Sequence, residues 1–245
     1  MSSTEDTEST RTPGGPSSDR GSAKAGQVWL RQERPRRERL TRDRIVVGAL
    51  ALLDAHGVEH LTMRRLAEHL GVGTTTLYGH VRTKDDVLDL ALDSVYAQIG
   101  LPEARTDDWR TEIAAVMQAW RSALLRHPWS AHLLGRPHLG PHMLARQDAL
   151  LGALARAGLT AETLNDADYA LSNYVIGSVL MQVAWQEQDP TARQAGAAHI
   201  RANADDYPYL AVHRDTPDAD WDRSFTNGLT YLIDGLAGTT KPSDS

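Results

Sequence analysis

The sequence predicts an all-α protein: a small N-terminal three-helix domain holding a helix-turn-helix, then a larger helical domain. Three observations carry this. Apolar residues recur every three or four positions in nearly every structured stretch, and from Asp108 onward no alternating strand pattern is convincing. Leu61 to Lys84, LTMRRLAEHLGVGTTTLYGHVRTK, reads as two short helices around a tight turn. Leu164 to Gln188 is a long stretch that is apolar on most sides, as expected of a helix buried all round.

Composition sets the limits. The chain has 245 residues, of which 41% are apolar and 24% charged, ordinary values for a chain with a proper core. It has no cysteine, which removes disulfide and thiolate chemistry. No apolar run reaches the length of a membrane span, and the polar N-terminus is unlike a secretory signal. A cytoplasmic protein that does not engage a membrane is expected. The net charge of −6 hides an asymmetry. Residues 27–84 hold 11 Lys and Arg against 6 Asp and Glu, whereas residues 85–245 hold 12 against 22. A basic segment before an acidic body suits a protein with one end that meets a polyanion.

In chain order, residues 1–26 are rich in Ser, Thr, Gly and Pro and are expected to be a disordered tail. Residues 27–41 crowd Arg31, Arg34, Arg36, Arg37 and Arg39 around Pro35. They read either as an extended arm that lies along a DNA minor groove or as a solvated basic linker.

The first helix is expected from Arg42 to His56, capped by Thr41 and closed by Gly57. The second runs from Thr62, a plausible cap, to Leu70, with Leu66, Ala67 and Leu70 on one face and Gly71 as its stop. The third, Gly73 to Gly79, has only Leu77 clearly apolar, so burial alone cannot hold it and its polar face must meet something else. A major groove about 12 Å wide admits one such helix. Thr74, Thr75, Thr76, Tyr78 and His80 offer hydroxyls, methyls and an imidazole for phosphates and base edges. The alternative is a surface helix pair of no special use. Thr83 and Asp86 form a capping box for a fourth helix, expected to reach about Ile99. Lys84 sits in its first turn, against the positive helix end, where only a DNA phosphate would favour a cation.

Leu40 to Leu92 closely resembles the DNA-binding domain of the TetR family of transcriptional repressors. The motifs are DAHGVEHLT, R-x-L-A-x-x-L-G-V, T-L-Y-x-H-V and K-D-D-V-L, in order. The resemblance implies DNA contacts from Thr62, Arg64, Thr74, Thr75, Thr76, Tyr78, His80 and Lys84. It also implies a fourth helix that links two domains and transmits a ligand signal.

The rest of the chain resembles the family's C-terminal ligand-binding and dimerisation domain. Helices are expected over Trp109–His127, Trp129–Leu134, Pro141–Ala157, Leu164–Gln188, 191–213 and Trp221–Leu236. The long apolar helix and the last helix match the pair that forms a four-helix dimer interface in the family. The expected domains are thus 42–88 for DNA and 89–238 for ligand and dimer, with a tail at 239–245.

Enzymatic motifs are missing: no Gly-rich phosphate loop, nucleophile elbow or CxxC occurs. His138 and His142 have a spacing that a metal could use, but Gly140 and Pro141 interrupt them and no carboxylate completes a set. The GRPH segment, Gly135 to His138, resembles a pocket-lining loop of the family. Members that bind a magnesium chelate use histidines and a glutamate, whereas the matching positions here are Gly100, Leu133, Asn173 and Met181. No metal or other cofactor is therefore expected. The resemblance leaves a pocket of Val116, Met117, Trp120, Arg136, Met143, Gln147, Asn173, Tyr174 and Met181, suited to a large, mostly apolar or aromatic molecule with a few polar anchors. Core packing is the alternative for each residue.

The expected function is a non-enzymatic, homodimeric, ligand-responsive repressor on a palindromic double-stranded DNA operator. Its partners are that duplex, a second copy of the chain and a small-molecule inducer, by analogy an antibiotic or efflux substrate. The alternative is an activator or ligand-independent regulator of the same fold.

Overall fold

The computed structural model describes residues 39–101, 108–213 and 220–238. The tail and the arm with Arg31, Arg34, Arg36 and Arg37 lie outside them. The described residues from Leu40 onward belong to one compact unit, and their regular elements are all helices.

Helices α1 (Arg42–His56), α2 (Met63–His69) and α3 (Thr74–Tyr78) follow the expected caps closely. Thr41 and Thr62 are extended, and their hydroxyls accept the amides of Arg44 and Arg65, each at 3.2 Å. Gly57 and Gly71 have φ of 74° and 66°, a region where a Cβ is costly. At the second of these the chain turns through paired hydrogen bonds: Gly71 N–H to Glu68 O at 3.1 Å and Val72 N–H to Ala67 O at 3.0 Å. The close approach of α1 to α2 also depends on Gly48, where a Cβ would lie 2.8 Å from Leu70 Cδ2.

Helix α4 (Lys84–Tyr96) starts at the expected capping box, with Thr83 Oγ1 accepting the Asp86 amide at 3.0 Å and Asp86 Oδ2 accepting the Thr83 amide at 3.2 Å. It ends earlier than expected, in turns that reach Ile99. Val87, Leu88, Ala91, Leu92, Val95 and Tyr96 are buried as α4 packs on α1 and on α6. The expected boundary after residue 88 falls inside this helix.

Helices α5 (Trp109–Arg126), α6 (Pro141–Arg156), α7 (Ala161–Glu187) and α10 (Trp221–Ala237) build the larger core, with a 3-10 helix (Pro128–Leu133) after α5. Arg121 of α5 is buried at their junction. It donates to Asp222 at 2.7 Å, Ser178 at 3.1 Å and Gln182 at 2.5 Å, and lies 4.7 Å from the Phe225 ring centre. A buried charge satisfied from two other helices fixes how they sit.

Two expectations need correcting. Within one chain α7 is not buried all round: Ala167, Leu171, Val175, Val179 and Val183 form one buried stripe four residues apart, while Tyr169, Leu180 and Met181 are exposed. Residues 191–213 are not one helix but α8 (Pro190–Ala202) and α9 (Pro208–His213). The Asn203 side chain donates to the His199 carbonyl at 2.7 Å and closes α8. Pro208 then opens α9, since proline lacks an amide and disfavours helix before it.

Candidate nucleic-acid interface and cavity

The short helix α3 is held by one side chain. Leu77 is fully buried, whereas Thr74, Thr75, Thr76, Tyr78 and His80 are all exposed on the same structure. Thr62 and Arg64, at the start of α2, are exposed too. Arg64 is not free: its Nε donates to Glu68 Oε1 at 2.9 Å, which holds the guanidinium above its ordinary pKa. Arg65, half-buried, donates to the His60 carbonyl at 3.0 Å.

Lys84 has a protein partner as well. Its ammonium donates to the Val58 carbonyl at 2.8 Å and ties the start of α4 to the connection after α1. The reasoning that only a phosphate would favour a cation there is therefore corrected: a backbone carbonyl already does.

A cavity of about 380 Å³ lies among α4, α5, α6 and α7, beside the loop that leads into α6. Of the nine expected residues it gathers Trp120, Arg136, Met143, Gln147 and Asn173. The other four are elsewhere. Val116 and Met117 are core residues of α5. Tyr174 stacks on Phe225, and its hydroxyl donates to the Phe225 carbonyl at 3.0 Å. It reaches α10 because Gly228 leaves room, where a Cβ would overlap the hydroxyl. Met181 faces outward.

The cavity also has walls outside those nine: His138, at the end of the GRPH segment expected to line a pocket, and Tyr96, Arg146, Asp168 and Ser172, which carry no such expectation. Arg146 is the least expected, a buried arginine whose guanidinium lies 4.0 Å over the Trp120 ring. Its signal was an arginine within the apolar stripe of Met143, Leu150 and Leu154. Burial pushes its pKa below the ordinary value, with Tyr96 and Asp168 opposing. Burial pushes the Tyr96 hydroxyl up, with Arg146 opposing.

The cavity loop is pinned to α4 at two points. Arg136 lies 3.1 Å from Asp85 and 3.7 Å from Asp89. Further along α4, Asp93 accepts the amides of His142 and Met143, at 3.1 and 3.2 Å, and lies 2.8 Å from His142 Nδ1 and 3.5 Å from His138 Nε2. Asp93 thus approaches both histidines without completing a metal set with them. Its Oδ1 is engaged by the amides of α6, and among the described residues no group of three or more such side chains could hold a metal ion.

A second cavity, about 520 Å³, lies where the turn after α1 meets the 3-10 helix. There Asp54 accepts from Trp129 Nε1 at 2.6 Å and lies 2.7 Å from His127 Nδ1.

Residues 45–91 match the model of bacterial regulatory proteins of the tetR family, and residues 101–240 match that of the tetracyclin repressor-like C-terminal domain. The chain belongs to the TetR family of transcriptional regulators. This TetR-family protein is 46% identical to an HTH-type transcriptional regulator of Saccharopolyspora erythraea, over 87% of its own length and 92% of the relative's. It is 33% identical to the class A tetracycline repressor protein from transposon 1721 of Escherichia coli, over 79% and 88% of the two lengths. Among solved structures it is similar to the Streptomyces coelicolor TetR family protein ActR in complex with actinorhodin, with a TM-score of 0.73 and 30% identity over 83% of this chain and 99% of that one. The family's helix-turn-helix is α2 and α3, and no helix among the described residues is long and apolar enough to cross a membrane.

Proposed function

We propose that this regulator represses transcription as a homodimer on a palindromic operator and is released by a small molecule in the α4–α7 cavity. The observation that carries the DNA side is α3: one buried leucine under four exposed polar side chains, with exposed His80 just after them. Thr74, Thr75, Thr76 and Tyr78 would meet base edges and phosphates, with Arg64, His80, Lys84 and Thr62 beside them and the Arg-rich arm alongside. The DNA-binding part would be residues 42–88, and residues 89–238 would bind ligand and dimerise.

The exposed apolar face of α7 and α10, including Leu180, Met181 and Tyr231, supports a second copy as partner. Two-fold symmetry would then set two copies of α3 about 34–36 Å apart. Relatives that hold actinorhodin, or that are named tetracycline repressors, support a multi-ring aromatic effector. The protein would work where the DNA is, in the cytoplasm.

Selection from random duplex oligonucleotides tests this reading. A palindrome is expected, bound with a strongly negative salt slope. Failure to enrich any duplex would refute it. Transcription from the selected operator in vitro then separates repressor from activator.

A further inference from the structure

The cavity is less apolar than its regulator reading requires. Three side chains of its wall carry buried polar atoms with no well-formed hydrogen bond: Trp120 Nε1, which approaches the Tyr96 hydroxyl without good bonding geometry, His138 Nε2, and both Nε and Nη1 of Arg146. These residues are only 2%, 9% and 3% exposed. Indole and guanidinium nitrogens can only donate, and an imidazole nitrogen can. A buried donor left unmet costs about 1–3 kcal/mol, and more when charged. Native proteins satisfy nearly all such groups, so several unmet donors around one cavity point to a missing acceptor.

The arrangement says which acceptor. Arg146 makes one hydrogen bond, from Nη2 to the neutral Gln147 side-chain carbonyl. The nearby carboxylate of Asp168 is taken up by others: it accepts from Gln147 Nε2 at 2.6 Å and from Ser172 Oγ at 3.5 Å. His138 Nε2 is 3.5 Å from Asp93 Oδ1 without being aligned to bond it. A buried cation thus has no anion hydrogen-bonded to it. Around it runs a continuous aromatic wall: Arg146 over Trp120, Trp120 6.1 Å from Tyr96, and Tyr96 stacked 5.7 Å from His138.

We propose that the cavity takes a planar aromatic monocarboxylate, its carboxylate seated on Arg146 with Trp120 Nε1 and His138 Nε2 donating to the ligand's oxygens. The rings lie along Tyr96 and Trp120. Asp168 at the border disfavours a second anionic group. This rests on the reading of the cavity as the effector site, and it changes the effector from a mostly apolar molecule to an acid.

Calorimetric titration of the full chain with 2-naphthoate and with 2-naphthamide, equal in shape but not in charge, tests it. The acid should bind roughly ten- to hundredfold more tightly, and Arg146→Gln should remove the preference. Equal binding of both probes, binding of neither, or a preference that survives in a folded Arg146→Gln protein overturns the proposal. Should Arg146→Gln not fold, two other variants decide. Arg146→Lys should keep the preference for the acid. Trp120→Phe, which keeps the ring under Arg146, should weaken naphthoate binding severalfold, and unchanged affinity there overturns the proposal as well. Duplex binding is measured separately. A chain that prefers the acid but selects no DNA sinks the regulator reading and leaves this one intact. One that leaves its operator only with neutral aromatics does the reverse.

Discussion

The carboxylate of Asp93, on α4, accepts the backbone amide of His142, on α6, at 3.1 Å. Together with the Met143 amide at 3.2 Å, this caps a helix whose own N-cap, Gly140, has no side chain to offer. A negative group at that position also meets the positive end of α6. The contact is close: a Cβ on Gly140 would overlap the Asp93 carboxylate. Asp93→Ala is expected to cost about 1–3 kcal/mol by urea denaturation, since it leaves two amides uncapped. Gly140→Ala should shift the midpoint the same way. Midpoints that match the parent for both variants would show that the cap contributes nothing.

Helix α3 separates folding from recognition. Thr75→Ala and Tyr78→Ala remove exposed groups, so stability should change by no more than roughly 0.5 kcal/mol. Operator affinity by fluorescence anisotropy should fall by about 1–3 kcal/mol. Leu77→Ala should instead cost about 2–5 kcal/mol in stability. If the threonine and tyrosine variants bind duplex like the parent, α3 is not the reading helix.

Lys84 should show both effects at once. Lys84→Ala loses the hydrogen bond to the Val58 carbonyl, worth about 1 kcal/mol. It should also reduce the salt slope of operator binding by about 1, uniformly across sequences. A lower melting temperature with an unchanged salt slope would leave Lys84 a purely structural residue.

Acid should weaken the start of α4. The Arg82 amide, followed by the Thr83 hydroxyl, holds the Asp86 carboxyl below the usual carboxylate range. A depressed folded pKa stabilises only while the group is ionised in the folded state. The contribution is full well above the unfolded value of about 3.9 and disappears as pH falls through the lower folded value. The gap in denaturation midpoint between the parent and Asp86→Asn should therefore hold at neutral pH and narrow below about 3.9. A gap that stays constant down that range would contradict the capping charge.

Charge on the outer face of α7 should prevent pairing. Leu180→Glu is exposed in the single chain, so the fold should survive, but a dimer that buries this face should not. Light scattering after gel filtration is expected to give a dimer for the parent and a monomer for the variant. A dimer in both cases places the contact elsewhere.

Much of the fold was readable because its signals are local. Thr41, Thr62 and Thr83 cap their helices as their spacing implies, and Gly57 and Gly71 stop theirs. Features set by neighbours in space were not readable. Nothing around Gly48 announces that Leu70 packs on it, and the partnership of Asp93 with α6 joins residues far apart in sequence. The cavity was half legible for the same reason. Trp120, Met143 and Gln147 lie where the family resemblance puts them, but Tyr174 turns to α10 because of the gap at Gly228. Arg146 is hard to place from the sequence because a charged residue beside an apolar stripe usually faces solvent.

The anchoring of α3 by Leu77 alone has a bearing on how such regulators diversify. Its outward residues have almost no stake in holding the domain together. Replacements there can accumulate freely in duplicated copies and retune which promoter is silenced, while the chain goes on folding as before. The cavity wall has no such latitude, because Trp120, Arg146 and Tyr96 are also interior packing. New target sites should therefore arise more readily in this lineage than new inducers.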